Sequence, residues 1–185
     1  SWRVAFFKSS ILFFIYIERK ILIDLHLRES ITLEARVAEI LCIREKDSTV
    51  LVHLINRKTF ELDTQEMKLK QTYLFPEFCT HLDCVNGHII GLASSGRLYV
   101  DGQEVMSSIS SFALHSDFLL ATSLQKHRLL CLSLDKLSAS GETITERAIE
   151  RGAKLVHSVA QSTGVILQMP RGNLEVIHPR ALSLN

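Results

Sequence analysis

From residue 37 onward the chain is a succession of short apolar runs divided by turn signals. VAEILCI (37–43) gives way to the polar REKDS, then to TVLVHLI (49–55), a break at Asn56-Arg57-Lys58, and TFELD. HLDCV (81–85) is followed by Asn86-Gly87, HIIGLAS, Ser95-Gly96 and RLYV. ISSFAL (109–114) leads through His115-Ser116 to DFLLATS, LQKH and RLLCLSL. AKLVHSVA (153–160) leads through Gln161-Ser162-Thr163 to GVILQMP, Arg171-Gly172 and NLEVIH. Each unit reads as three strands and two turns.

The turns and the middle strands carry the physical content. Asn-Gly supplies the positive φ angles of a tight two-residue hairpin, so Asn86-Gly87 is the strongest local hairpin signal, with Ser95-Gly96 and Arg171-Gly172 weaker versions of it. The middle strands HIIGLA, DFLLAT and GVILQM are apolar on successive residues, which predicts burial on both faces. Sets of antiparallel strands whose middle members are covered on both sides fit stacked propeller blades better than a sandwich. The units recur irregularly, at about 28 to 44 residues, a range that straddles the usual blade length. The WD dipeptide is absent, and the only Trp is Trp2. The expected fold is all-β: a partial WD40-like β-propeller of about three to four antiparallel blades.

Two stretches resist the pattern. Residues 64–77 (TQEMKLKQTYLFPE) read as a loop or a crossing between blades. In 138–152 (SASGETITERAIERG) a small-residue loop, with 138–143 its most mobile part, precedes one helical turn or an outer strand. Residues 1–30 form an atypical N-terminal segment. VAFFKSSILFFIYI (4–17) is interrupted by Lys8, Ser9 and Ser10, so it falls short of the roughly 20 apolar residues of a membrane span and lacks a small-residue cleavage site. A buried strand or helix is the favoured reading over a membrane role. Non-native sequence is a third reading, motivated by the change in character near Glu29.

Composition narrows the functional classes. Apolar residues make up 46% of the 185-residue chain and charged ones 22%, enough for a packed core. The net charge is +1, with no cluster of five or more Lys or Arg, so no electrostatic footprint for nucleic acid or an anionic membrane is present. Cys42, Cys79, Cys84 and Cys131 do not form a dense disulfide framework. The expected setting is reduced and intracellular, cytoplasmic and also nuclear.

Three constellations carry chemistry-bearing residue types, and each also has an ordinary structural role. Cys79, His81, Cys84 and His88 have metal-ligand chemistry, but all four fall within ten residues of a strand and hairpin, and alternation puts His81 and Cys84 on opposite faces. Ser107, Ser108, Ser110 and Ser111 with His115 and Asp117 suggest a nucleophilic triad, yet no G-x-S-x-G elbow surrounds any of them. Such residues beside a turn ordinarily bond back to the backbone. Neither a G-x-x-x-x-G-K-[ST] loop nor G-x-G-x-x-G occurs, so nucleotide binding has no local support. Arg171, His178 and Arg180 are the last basic features, and surface roles suit them better than RNA contact. The expectation is no catalytic, cofactor or metal site, and no enzyme.

The run IERGAKLVHSVAQSTGVILQMPRGNLEVIHPRAL (149–182) closely resembles the end of the second β-propeller in the largest subunit of the Elongator complex, the IKAP family. Gln168 to Val176, with His178 and Arg180-Ala181-Leu182, carries most of that likeness, and LYVDGQEVMSSISSFALHSDFLLATS (98–123) shares it more loosely. The resemblance implies residues 31–178 as part of that propeller and 179–185 as the start of a helical-repeat region. Pro179 suits a first helical turn. It further implies a scaffold in a complex that places carboxymethyl-type modifications on the tRNA wobble uridine. The implied partners are a radical-SAM and acetyltransferase-like catalytic subunit and a WD40 adaptor subunit. Contact with tRNA would be indirect, and the dimerisation region lies outside this chain. A free-standing propeller-like module for a peptide or ligand is the alternative.

Overall fold

The computed structural model describes residues 3–7, 10–15, 21–24, 29–42, 49–134, 143–156 and 164–182. Residues 138–142 and the turn at Gln161-Ser162-Thr163, singled out above, lie outside these. The described strands form five sheets in which neighbours hydrogen-bond in chain order. The first contains β1 (Arg3–Phe7), β2 (Ser10–Ile15), β3 (Ile21–Asp24) and β4 (Glu29–Thr32). The second contains β5 (Val37–Cys42), β6 (Thr49–Leu54), β7 (Lys58–Asp63) and β8 (Lys68–Leu74). The third contains β9 (Cys79–Val85), β10 (His88–Ala93), β11 (Leu98–Val100) and β12 (Gln103–Met106). The fourth contains β13 (Ile109–His115), β14 (Phe118–Ser123), β15 (Arg128–Ser133) and β16 (Thr143–Ala148). The fifth has three strands, β17 (Lys154–Val156), β18 (Val165–Gln168) and β19 (Leu174–Ile177), and one helical turn follows, α1 (Pro179–Leu182).

The all-β class and the antiparallel sets agree with the sequence reading, but the set size and number differ. Four of the five sheets have a fourth strand, and the sheets number five where three to four were expected. The missed strands are outer ones. β8 (KLKQTYL) is exposed along nearly its whole length, and Gln103 and Glu104 of β12 are exposed too. An outer strand has its backbone satisfied by one neighbour and its side chains in water, so hydrophobic alternation does not mark it. Residues 64–77 therefore contain β8, and the ambiguous ITERA stretch is β16. The additional sheet is the first, within Arg3–Thr32, where the strands pair antiparallel in chain order.

Turn chemistry explains the hairpins. Asn86 and Gly87 both have positive φ, 50° and 79°, which is the pattern of a type I′ turn. Asp101-Gly102 (51° and 86°) makes the same turn between β11 and β12 and was not singled out from sequence. Ser95-Gly96 and Arg171-Gly172 belong instead to three-residue loops that end on a left-handed glycine. There Gly96 N–H donates to the Ala93 carbonyl, and Gly172 N–H to that of Met169, each at 3.0 Å. At Gly96 a Cβ would stand 3.2 Å from the Ile109 carbonyl oxygen, so space as well as φ selects glycine.

The chain divides into two compact units, residues 1–89 and 90–185. In the first, the core comprises Leu33, Val37, Val50, Val52, Leu54, Phe60, Leu62 and Met67. In the second, Ala113, Leu120 and Leu129 of the fourth sheet pack with Leu155, Val165, Leu167 and Ile177 of the fifth. The middle strands are buried on both faces: all six residues of β6, and five of six in β10 and β14. That two-sided burial is what successive apolar residues require. The fifth sheet differs, because its other face leaves Leu174 64% and Val176 57% exposed.

Replacing the fully buried Leu120 by Ala should destabilise the chain by about 2–5 kcal/mol. Leu174→Ala should change stability by less than about 0.5 kcal/mol. Thermal and urea unfolding of both variants check this, and equal losses would refute the two-sided assignment.

Candidate functional site

Three polar constellations link neighbouring sheets. In the first unit, His53 lies within β6, buried, between Thr59 of β7 and the start of β9. Its Nε2 is 3.1 Å from the Cys79 carbonyl oxygen and its Nδ1 is 2.9 Å from Thr59 Oγ1. A carbonyl only accepts, so Nε2 carries the proton and Nδ1 accepts from the threonine hydroxyl. Phe78 stacks on the ring with centroids 5.1 Å apart, and Phe75 meets it edge-on at 6.3 Å. Burial lowers the pKa of His53 to about 4, against a smaller opposing effect of the bond to Cys79. The imidazole is neutral, and its position ties the second sheet to β9.

In the second unit, a β-bulge brings two adjacent serines to one partner. The register of β13 against β14 shifts between Ile109 and Ser111. Ser110 Oγ lies 2.7 Å from Thr122 Oγ1 and donates to the Thr122 carbonyl at 3.2 Å, while Ser111 Oγ also meets Thr122 Oγ1. Ser111 Oγ accepts the Leu155 amide proton at 2.8 Å, which links the fourth sheet to the fifth. On the outer strands of the same two sheets, Arg147 Nη1 and Nη2 donate to the two oxygens of Glu175 at 2.8 and 3.0 Å. This planar fork sets the relation of β16 to β19 in both distance and angle.

The sequence candidates fall as follows. Ser110 and Ser111 open β13 and His115 closes it, so Ser111 and His115 are about 13 Å apart along an extended strand. Asp117 is exposed in the next turn, where its carbonyl accepts from Leu134 N–H at 2.8 Å. Ser107 is exposed, and the Ser108 carbonyl accepts from Leu124 N–H. Cys79 and Cys84 are buried on β9, about 16 Å apart by strand rise, while His81 and His88 are half-buried. Burial, with a smaller contribution from Glu77, pushes the Cys79 thiol up to about 12, so it stays protonated. Among the described residues no group of three or more His, Cys, Asp or Glu side chains converges as a metal site. Arg171 sits exposed in the β18–β19 turn, His178 is exposed after β19, and Arg180 is exposed on α1.

One concave feature was not foreseen from sequence. In the second unit, the loops after β14 and β16 enclose a cleft of about 220 Å³, lined by Ser110, Ser123, Leu124, His127 and residues 149–154. Its floor is the bulged start of β13 and its rim is the turn Glu150-Arg151-Gly152-Ala153. Only the run of turn residues ERG marked the place, and that run is common to any surface connection.

Successive antiparallel sheets, each with its strands in chain order, are the pattern of a β-propeller domain. The family model described as "ELP1 N-terminal second beta-propeller" matches residues 12–156. The chain therefore belongs to the second-propeller family of Elongator complex protein 1. Elongator complex protein 1 of Rattus norvegicus is 32% identical over 87% of this chain, and a putative Elongator complex protein 1 of Xenopus laevis 40% identical over 62%. The chain spans only 14% and 11% of those two relatives. The likeness to Hsv2 of Kluyveromyces marxianus has a TM-score of 0.65 at 14% identity, over 97% of this chain and 62% of that one. The computationally designed Ika8 protein gives 0.64 at 11% identity, over 95% and 57%. These structural likenesses show the fold alone. The family match takes in residues 12–30, which the sequence reading had set apart, and stops at Val156 before most of the carboxyl-terminal string that suggested the family.

The His53 geometry gives a pH dependence. A histidine whose pKa falls from 6.5 unfolded to about 4 folded favours the unfolded state as pH drops. Stability should be full above pH 6.5 and should decline between 6.5 and 4, by up to about 3 kcal/mol. His53→Leu should lower stability at pH 7 and abolish that part of the slope. Unfolding curves of both proteins across this range check it, and an unchanged slope in the variant would assign the titration elsewhere.

Proposed function

We propose that this chain is part of the scaffold subunit of the Elongator complex, a non-catalytic platform required for carboxymethyl-type modification of the tRNA wobble uridine. The family match over residues 12–156 carries the reading. The polar groups support it, because the serines, His53 and the Arg147–Glu175 pair join sheet to sheet and are not gathered around one reacting atom. The platform's partners are a radical-SAM and acetyltransferase-like catalytic subunit and a WD40 adaptor subunit, in the cytoplasm and nucleus. Its contact with tRNA is indirect. Phosphate contacts dominate nucleic-acid affinity, and a net charge of +1 without a basic run supplies few of them.

Two variants of the full-length subunit test this. Ala121 is fully buried in β14, so Ala121→Asp places a carboxylate in the core and should unfold the segment. Co-purification of the other subunits and the wobble-modified nucleoside content of cellular tRNA should both fall. Full modification with this variant would refute the platform role. Arg171→Glu with Arg180→Glu should leave tRNA affinity of the assembled complex within about twofold, because both are exposed and neither belongs to a basic run. A large loss with a shallower salt dependence would show that these arginines contact phosphate.

A further inference from the structure

The cleft between the fourth and fifth sheets has a composition that points to a particular ligand. Leu124 presents 55% of its surface to water at the end of β14, and half-buried Ile149 lies beside it. Arg151 and Lys154 stand exposed on the same cleft, and neither head group has a carboxylate partner among the described residues. Glu150 contributes one opposing charge, so the rim holds two cations against one carboxylate, with His127 at its side. Several cations elsewhere on the surface are paired with carboxylates. Lys58 meets Glu34, Lys68 meets Glu66, Lys70 meets Asp63, and Arg128 meets Glu146.

The volume decides against a small-molecule pocket. At about 220 Å³ the cleft is below the roughly 300–1,000 Å³ typical of cofactor and ligand sites. It suits one or two side chains of a linear segment. An exposed leucine next to unpaired cations fits an aliphatic side chain followed or preceded by a carboxylate. A phosphate backbone would match the cations but would leave Leu124 with no apolar contact. We infer that this cleft docks a short, extended, acidic segment of a partner protein, with an aliphatic side chain on Leu124 and Ile149 and a carboxylate between Arg151 and Lys154. The inference rests on the platform reading and assigns one of its contact points.

The test uses the full-length subunit assembled with purified partner subunits and tRNA, with Leu124 replaced by the photocrosslinking amino acid benzoylphenylalanine. Irradiation followed by mass spectrometry should place the crosslink on a partner-protein segment that contains Asp or Glu within a few residues of the attachment point. Adding Arg151→Glu with Lys154→Glu should cut the crosslink yield about tenfold or more, and the neutral pair Arg151→Gln with Lys154→Gln should cut it by less. Both positions are exposed, so an unchanged melting temperature serves as the folding control. A crosslink to tRNA, the absence of any crosslink, or a yield indifferent to charge reversal would each overturn the inference. The platform reading fails separately, through normal tRNA modification in the Ala121→Asp subunit.

Discussion

Two-sided burial of the central strands is the constraint on which the rest of the structure depends. β6 has six consecutive buried residues, and β14 and β10 have five each. A strand of this kind has no face for water, so a sheet built around it must be covered on both sides. Apolar cover is non-directional, however, and it does not by itself fix how one sheet lies on the next. The directional part comes from a few polar links: His53 to the Cys79 carbonyl in the first unit, and Ser111 to the Leu155 amide with Arg147 to Glu175 in the second. His53 is buried and would be costly to leave unpaired, while the half-exposed Arg147–Glu175 fork adds geometry more than energy.

This division of labour explains which parts were legible in the sequence. The central strands are marked by consecutive apolar residues, and Asn86-Gly87 by its ease in the positive-φ backbone of a two-residue hairpin. The outer strands were silent because water covers them, and β8 with its Lys68, Lys70 and Gln71 looks like a loop in any one-dimensional reading. The first sheet was obscured differently. Its apolar runs are long and interrupted by charge, so periodicity alone does not separate strand from helix there, whereas β1 through β4 pair antiparallel.

The candidate site was less legible than the fold. Ser110 and Ser111 attracted notice for a chemistry that strand geometry separates from His115, and their actual partners, Thr122 and Leu155, lie 12 and 44 residues away from them. His53 gave no signal at all, since a lone histidine in an apolar run looks like core, which is where it sits. The cleft is written in connections, Leu124 to His127 and Ile149 to Ala153, whose meeting depends on the stacking of two sheets. Sequence patterns of period two describe strands, and they say little about which loops converge.

The water-facing outer strands have an evolutionary corollary. β8 meets β7 through backbone hydrogen bonds that are indifferent to side-chain identity, and its side chains are largely exposed, although Lys70 pairs with Asp63 and Tyr73 donates to Glu61. Apart from Lys70 and Tyr73, substitutions there meet little screening by packing, provided the residue tolerates an extended backbone. A domain so constructed can rewrite its rim while its interior stays fixed. Divergence can then retune what the surface recognises without passing through unstable intermediates.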